Sequence, residues 1–319
     1  MEILKRQKSW KLLGLEALLR RLPDYDTGEF NFYKDMYTAQ KKGYEGELSV
    51  DQMWIELNIP TPYALLHNFE TINHAGYTHQ IDTILLTPHF IWLLEIKNIG
   101  GRLDIDESKH QLIRTNSEGM VESFRNPVNQ IKRHGKFISR KLRDLRMNLP
   151  VEYSIIIVSD YTIIGSIPKS ISIFHANGLQ TELDKLFNKH QGRGISLGQF
   201  EKIKTELLNI QQPKEWKAKV ETKRLQKGVL CKKCDYKSVM IFEHGSFRCG
   251  KCGFKSKDAH LEALLDYRYL WSEWITNREL RDFLGVDSRF SIIRLLKDLN
   301  IEYQGTYRDR KYRIPESFE

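Results

Sequence analysis

The chain has 319 residues, 40% hydrophobic and 29% charged, ordinary for a folded protein and long enough that two or three domains are expected. No run approaches the roughly 18 apolar residues of a membrane span, and the opening Met-Glu-Ile-Leu-Lys-Arg-Gln-Lys lacks the apolar core of a secretory signal, so a cytoplasmic protein is expected. A net charge of +9 and a pI of about 9.2 favour polyanionic partners, although solubility alone accounts for such a charge equally well.

Residues 3–22 are basic, with Leu12, Leu15, Leu18, Leu19 and Leu22 at helical spacing and Pro23 as a stop. The pattern predicts an amphipathic helix that packs on the domain following it, with membrane-surface binding as the other reading. Residues 24–42 read as irregular or helical. Gly43-Tyr44-Glu45-Gly46-Glu47 opens a helix over 45–57, in which Glu47, Val50 and Trp54 share one face. Acidic residues in a first turn are often macrodipole complements, a role that suits Glu45 better than Glu47. Residues 63–69 form a strand candidate. Residues 81–87 and 90–96, split by Pro88-His89, then read as an antiparallel strand pair. Alternation puts Ile91, Leu93, Glu95 and Lys97 on one face. A hairpin would bring Asp82, at the end of its strand, to the same sheet edge.

Two carboxylates and an ammonium at one edge of a buried sheet have a chemical logic. Mg²⁺ binds through one or two carboxylates, lowers the pKa of a bound water, and a nearby lysine orients that water or neutralises developing charge. The bland alternative is a surface ion pair, since exposed Glu-x-Lys pairs are usually incidental.

Residues 102–125 read as a second hairpin. Asn126-Pro127 supplies an N-cap and first position for a helix reaching about residue 148. Gln130 lies in its first turn and His134 one turn on. Lys132, Arg133, Lys136, Arg140, Lys141 and Arg143 make this helix basic, either as a solvated face or as a phosphate-facing surface. A buried strand at 154–159, short strands over 163–173 and helices at 177–189 and 198–210 complete an α/β domain with a mixed sheet. The charged stretch 211–228 reads as a linker.

Cys231-Lys-Lys-Cys234 and Cys249-Gly-Lys-Cys252 follow. Four clustered thiolates at this spacing suit a tetrahedral, structural Zn²⁺ in a ribbon over 229–258. The last stretch, 259–319, has Thr276 capping one helix, a Gly285-Val286 turn, a second helix capped by Asp287 or Ser288, and a basic hairpin over 301–314. That is the outline of a winged helix-turn-helix. Arg289 and Arg294 are groove-facing candidates, with Arg308, Arg310, Lys311 and Arg313 on the wing; such modules also dock proteins.

Gly43-Tyr44-Glu45-Gly46-Glu47, His79-Gln80-Ile81-Asp82, Leu94-Glu95-Ile96-Lys97-Asn98 and Asn126-Pro127-Val128-Asn129-Gln130 together resemble the nuclease-related domain family, NERD, over more than a third of the chain. That family is similar to the PD-(D/E)xK nucleases. The resemblance implies an α/β, restriction-endonuclease-like mixed sheet flanked by helices. It implies Glu47, Asp82 and Glu95 as ligands of Mg²⁺ or Mn²⁺, Lys97 as the catalytic lysine, and Gln130 as a polar residue of the cleft. The expected organisation is a helical lead-in (1–42), a nuclease-like domain (43–210), a linker (211–228), the zinc ribbon (229–258) and the winged-helix-like module (259–319).

The function expected is metal-dependent hydrolysis of DNA, with the two C-terminal modules binding DNA. The rivals are a non-catalytic DNA-binding or regulatory protein on a nuclease fold, and a protein-interaction adaptor. No Gly-x-x-x-x-Gly-Lys-[Ser/Thr] loop is present, so any unwinding would come from a partner such as a helicase. By analogy with the family, the setting is mobile-element or phage defence.

Overall fold

Only the second half of the N-terminal leucine pattern is helical. Glu2–Leu4 forms a strand, β1, and the helix α1 runs from Trp10 to Arg21. In this computed structural model, which describes residues 2–23, 27–192, 194–306 and 309–318, the chain divides into two compact units. The first contains Met1–Ser9 and Lys41–Lys214, the second Trp10–Gln40 and Glu215–Glu319. A single long helix, α2 (Gly28–Met53), takes up the helical reading of residues 28–42 and joins it to the helix expected over 45–57, ending at Met53.

The first unit is built on a six-stranded sheet. After α2 come β2 (Ala64–Ile72), β3 (Thr78–Leu86) and β4 (Ile91–Lys97). A meander of β5 (Gly101–Asp106), β6 (Gln111–Thr115) and β7 (Val121–Arg125) replaces the expected hairpin. Then follow α3 (Pro127–Asp144), β8 (Val151–Ile157), β9 (Thr162–Ile164), β10 (Ser172–His175), α4 (Leu179–Lys189) and α5 (Leu197–Asn209). The central order is β1-β2-β3-β4-β8-β10, and β9 extends the meander as β7-β6-β5-β9. β2, β3 and β4 are antiparallel neighbours, whereas β1 and β2, β4 and β8, and β8 and β10 are parallel.

The sheet is mixed and covered on both faces, which is why β3 and β4 read as nearly continuous apolar runs. Ile84, Leu86, Ile91 and Leu93 pack with Val128, Ile131 and Ile138 of α3 and Phe200 and Ile203 of α5. The alternate residues Leu85, Trp92, Leu94 and Ile96 pack with Val50 of α2, Trp54 just after it, and Leu179 and Leu183 of α4. Asn126 caps α3 through the Val128 amide, with Pro127 in the first turn.

In the second unit, β11 (Val229–Leu230), β12 (Val239–Glu243), β13 (Ser246–Cys249) and β14 (Lys255–Ser256) form an antiparallel sheet. It is followed by α6 (Ala259–Leu270), β15 (Trp274–Thr276), α7 (Asn277–Leu284) and α8 (Arg289–Asp298). The closing strands are β16 (Tyr303–Gln304) and β17 (Lys311–Arg313), in the sheet order β15-β17-β16. Thr276 and Glu279 form the reciprocal capping box that the sequence suggests, Gly285 ends α7 at φ 68°, and Ser288 rather than Asp287 caps α8. Among the described residues no helix is long and apolar enough to cross a membrane.

The N-terminal helix belongs with these C-terminal elements and not with the domain it precedes. Leu15, Leu18 and Leu22 share a cluster with Leu225, Tyr269 and Leu270. The deciding contact is polar. Asp266 of α6 is buried and accepts Arg21 Nε at 2.7 Å, with Arg20 on its other oxygen. Arg21 also donates to the Gln226 and Gly228 carbonyls and lies over the Phe283 ring, 4.8 Å from its centre. The stretch 211–228 is likewise anchored. Gln212 N donates to the Glu70 carbonyl at 2.7 Å, and Trp216 packs so closely on Gly14 that a Cβ there would meet its ring at 2.7 Å.

Breaking a buried pair from one side leaves an uncompensated charge and costs about 3–5 kcal/mol. Asp266→Ala is expected to destabilise the second unit by about that amount, read from urea unfolding followed by tryptophan fluorescence.

Candidate active site

Pairing between β3 and β4 runs from Leu86 opposite Ile91 to Thr83 opposite Leu94 and stops there. Beyond that point β3 stays on β2 and β4 stays on β8, so the two strands fork. Asp82 sits in the fork. It is not at a strand end, as expected, since β3 begins four residues earlier; what ends at Asp82 is the pairing with β4. Its Oδ2 accepts from the Ile96 amide at 2.7 Å, so the side chain takes over a backbone partner's place. Glu95 lies on the opposite branch and is 2% exposed. Both its oxygens are held: Oε1 by Lys97 Nζ at 2.6 Å, Oε2 by Gln130 Nε2 of α3 at 2.9 Å.

The ladder is also interrupted on the β2 side. Asn68, across from Asp82, has a left-handed backbone at φ 49° and is skipped in the pairing. Arg6, which follows β1, fills the gap. Its guanidinium donates to the Asp82 carbonyl (2.8 Å), Asn68 Oδ1 (2.9 Å), Thr83 Oγ1 (3.0 Å), Glu47 Oε2 (2.5 Å) and both oxygens of Asp51 (2.6 and 3.0 Å). Neither Arg6 nor Asp51 stands out in the sequence: Arg6 is one cation in a basic run, and its partners lie 41 to 77 positions away. Glu47 is brought here by α2, anchored by the buried Val50 one turn on and by the buried Trp54 just past the helix end. Gly46 lets α2 come close, since a Cβ there would meet the Asn98 side chain at 2.6 Å. Asn98 in turn donates to the Lys42 carbonyl at 2.9 Å. The Gly46-Glu47 and Lys97-Asn98 motifs are thus two sides of one contact.

The electrostatics follow from burial. Glu95 is pushed up to about 7 by desolvation, with Asp82 adding to the effect against Lys97 and Gln130. Desolvation and Asp82 also push Glu47 up to about 8, even with Arg6 beside it. Asp82 is raised, chiefly by burial. Burial alone would lower Lys97, but Glu95 and Asp82 outweigh it and raise the ammonium. Asp51 stays low despite burial because His67 and Arg6 bond to it. On the α3 side, His79 and His134 meet Nδ1 to Nδ1 at 3.0 Å, and His79 stacks on Phe137. Burial and Arg133 hold His134 down at about 3, so it is neutral at physiological pH.

The structure therefore brings Asp82, Glu95, Lys97 and Gln130 together and ties Glu47 to the same cluster through Arg6. Among the described residues, the carboxylate oxygens of Glu47, Asp82 and Glu95 do not all lie within 4.8 Å of one another. Residues 42–158, which carry this whole arrangement except Arg6, match the family model of the nuclease-related domain, NERD. The chain carries a nuclease-related domain. No curated protein and no solved structure matches the chain.

Outside the NERD domain, the Sγ atoms of Cys231, Cys234, Cys249 and Cys252 all lie within 4.8 Å of one another. Cys231–Cys252 and Cys234–Cys249 are 3.7 and 3.8 Å apart. A disulfide would be about 2.05 Å, whereas a tetrahedron with Zn–S of about 2.3 Å has edges of about 3.8 Å. The cluster is compatible with structural zinc in a ribbon. The Ser238 hydroxyl and nearby amides pull the Cys249 thiol down to about 6, while the neighbouring thiols push Cys234 up to about 12. Arg289 and Arg294 are exposed on α8, beside a Phe290 that is 78% exposed. Lys311 is exposed on β17, and Arg310 lies over the Tyr303 ring at 4.4 Å. Arg313 is instead engaged with Glu273 and Glu302. Arg308 lies outside the described residues.

Removing Arg6 would leave the Glu47 carboxylate without its donor, Asp51 with only His67, and the Asp82 carbonyl with only the Thr83 hydroxyl. Arg6→Ala is expected to cost about 3–5 kcal/mol in urea unfolding of the first unit, with Arg6→Lys restoring only part because an ammonium cannot make the bidentate contact with Asp51.

The raised carboxylates also set a pH dependence. With folded values of about 7 and 8 against a reference of 4.5, Glu95 and Glu47 hold protons in the folded chain that the unfolded chain has released. Stability then falls as pH rises. The lowered His79, His134 and His260 act in the opposite sense, but only below their ordinary value of 6.5. In the metal-free protein, stability is expected to fall between about pH 6.5 and 8, and the Glu47→Gln/Glu95→Gln double variant should flatten that slope in thermal melts.

Proposed function

We propose that the NERD domain hydrolyses DNA phosphodiester bonds, with Mg²⁺ or Mn²⁺ held by Glu47, Asp82 and Glu95 once the three carboxylates draw together around the ion. The observation that carries this reading is the charge of the cluster. Four carboxylates, Glu47, Asp51, Asp82 and Glu95, face two cations, Arg6 and Lys97. Fully ionised, the group would carry two surplus negative charges in a buried place. Burial and the neighbouring carboxylates push Glu47 and Glu95 toward their neutral forms. A hard divalent cation suits both the surplus and the all-oxygen donor set.

When bound, such a cation lowers the pKa of a coordinated water and neutralises charge on a phosphoryl oxygen. The chain's own groups do the rest. Lys97 would orient the attacking water or stabilise the negative charge that builds on the phosphate. Gln130 fixes the second oxygen of Glu95 and so the direction of its free lone pairs. Arg6 holds Glu47 at the edge of the cluster. In the second unit, the cysteine cluster would hold structural Zn²⁺. α7, the Gly285 turn, α8 and the β16–β17 hairpin would act as a winged-helix module, with Arg289, Arg294, Arg310 and Lys311 against DNA.

Plasmid DNA incubated with the full chain and Mg²⁺ or Mn²⁺ is expected to be cut, and EDTA to stop it. Asp82→Ala and Lys97→Ala should each reduce cutting by at least about 10²-fold, the scale of losing one transition-state contact. Identical behaviour of wild type and both variants would leave only a DNA-binding protein on a nuclease fold.

A further inference from the structure

The function proposed above places DNA contacts in the second unit, yet α3 of the first unit carries an unbalanced cationic face. Arg133, Lys136, Arg140 and Arg143 are all exposed. At 100° per residue they fall within about 80° of arc, opposite the buried Ile131, Ile138 and Leu142. None of the four has an ion-pair partner among the described residues, whereas Lys132, on the flank, is taken by Glu107 at 2.6 Å. Solvated helix faces usually mix signs and gain from opposite charges three or four positions apart. Here positions 133 and 136, 136 and 140, and 140 and 143 are like-charged neighbours, and the helix has a single carboxylate, Asp144, at its last position. Such a stripe repels itself unless a polyanion lies along it.

Its length and position identify the polyanion. Ten residues of helix span about 15 Å, long enough for the four cations to lie along a stretch of phosphate backbone. The stripe starts one turn beyond Gln130, whose amide holds Glu95. We propose that the outer face of α3 is a phosphate track that seats the DNA backbone beside the hydrolytic cluster. Seating there is independent of base sequence, because an array of cations meets only the sugar–phosphate chain. The inference rests on the nuclease reading for its choice of ligand, but its test uses no metal and no cleavage.

The test is fluorescence anisotropy of a labelled DNA duplex with the full chain in EDTA, across a salt series. Wild type is compared with Arg133→Gln/Lys136→Gln/Arg140→Gln/Arg143→Gln and with Arg289→Gln/Arg294→Gln. All six positions are exposed, so circular dichroism melts serve as the folding control. The α3 variant is expected to lose about 3–4 from the slope of log K against log salt, at about 0.9 per phosphate contact. Its affinity at low salt should fall by about 10²-fold or more. An unchanged slope and affinity in the α3 variant, or no duplex binding by wild type, would overturn the track. A wild type that binds through α3 but never cuts would overturn the hydrolytic reading alone.

Discussion

One guanidinium holds the first unit's chemistry in register. The β2 and β3 ladders part at Asn68 and Asp82, leaving a buried carbonyl without a strand partner. An unpaired buried polar group is costly, and Arg6 removes that cost while bridging α2, β2 and β3 at once. Its planar fork suits the task, because it makes a bidentate contact with Asp51 and still has donors left for Glu47, Asn68 and Thr83. A lysine offers three donors from a single nitrogen and cannot span the same set.

The fork between β3 and β4 depends on that anchor. With β3 fixed to β2 from one side, β4 can leave it at Leu94 and continue on β8. The opened space is lined by carboxylates rather than by paired backbone. Asp82 closes one side through the Ile96 amide, and Lys97 and Gln130 close the other through Glu95. Each group has a partner, yet the sum of charges is negative. That imbalance, not the presence of any one acid, separates this cluster from a buried structural ion-pair network. In such networks the charges close among themselves, as Asp266 and Glu262 do against Arg20 and Arg21 of α1.

Much of this was legible because it is local. The apolar alternation of β4 puts Glu95 and Lys97 on one face, and the two side chains do bond. Asn126-Pro127 starts α3, Thr276 starts α7, and the two Cys-x-x-Cys turns converge. Long-range features left no local trace. Arg6 looks like any cation in a basic run, and the leucines of α1 report that a face is buried without saying against what. Its partner, Asp266, lies some 245 positions away and looks like any acid on an amphipathic helix. The N-terminal strand was hidden by its brevity, since three residues carry no period. The all-exposed β7 was missed as a separate strand because it has no buried face to impose an alternating pattern.

The path of the chain turns these long-range contacts into a constraint on the whole molecule. It passes between the two units after Ser9, after Gln40 and after Lys214, so neither unit is a continuous segment. The family match starts at residue 42, beyond both β1 and Arg6. A segment with those bounds contains Glu47, Asp82, Glu95, Lys97 and Gln130 but lacks the cation that holds the first of them. It would keep the acids and lose one of the two charges that let them be buried together. The second unit has the matching requirement, because Asp266 is neutralised by arginines that come from the other end of the chain. The carboxylate cluster and the cysteine-containing unit are therefore linked by chain order. Each needs a piece of the first forty residues, and those pieces are adjacent in sequence.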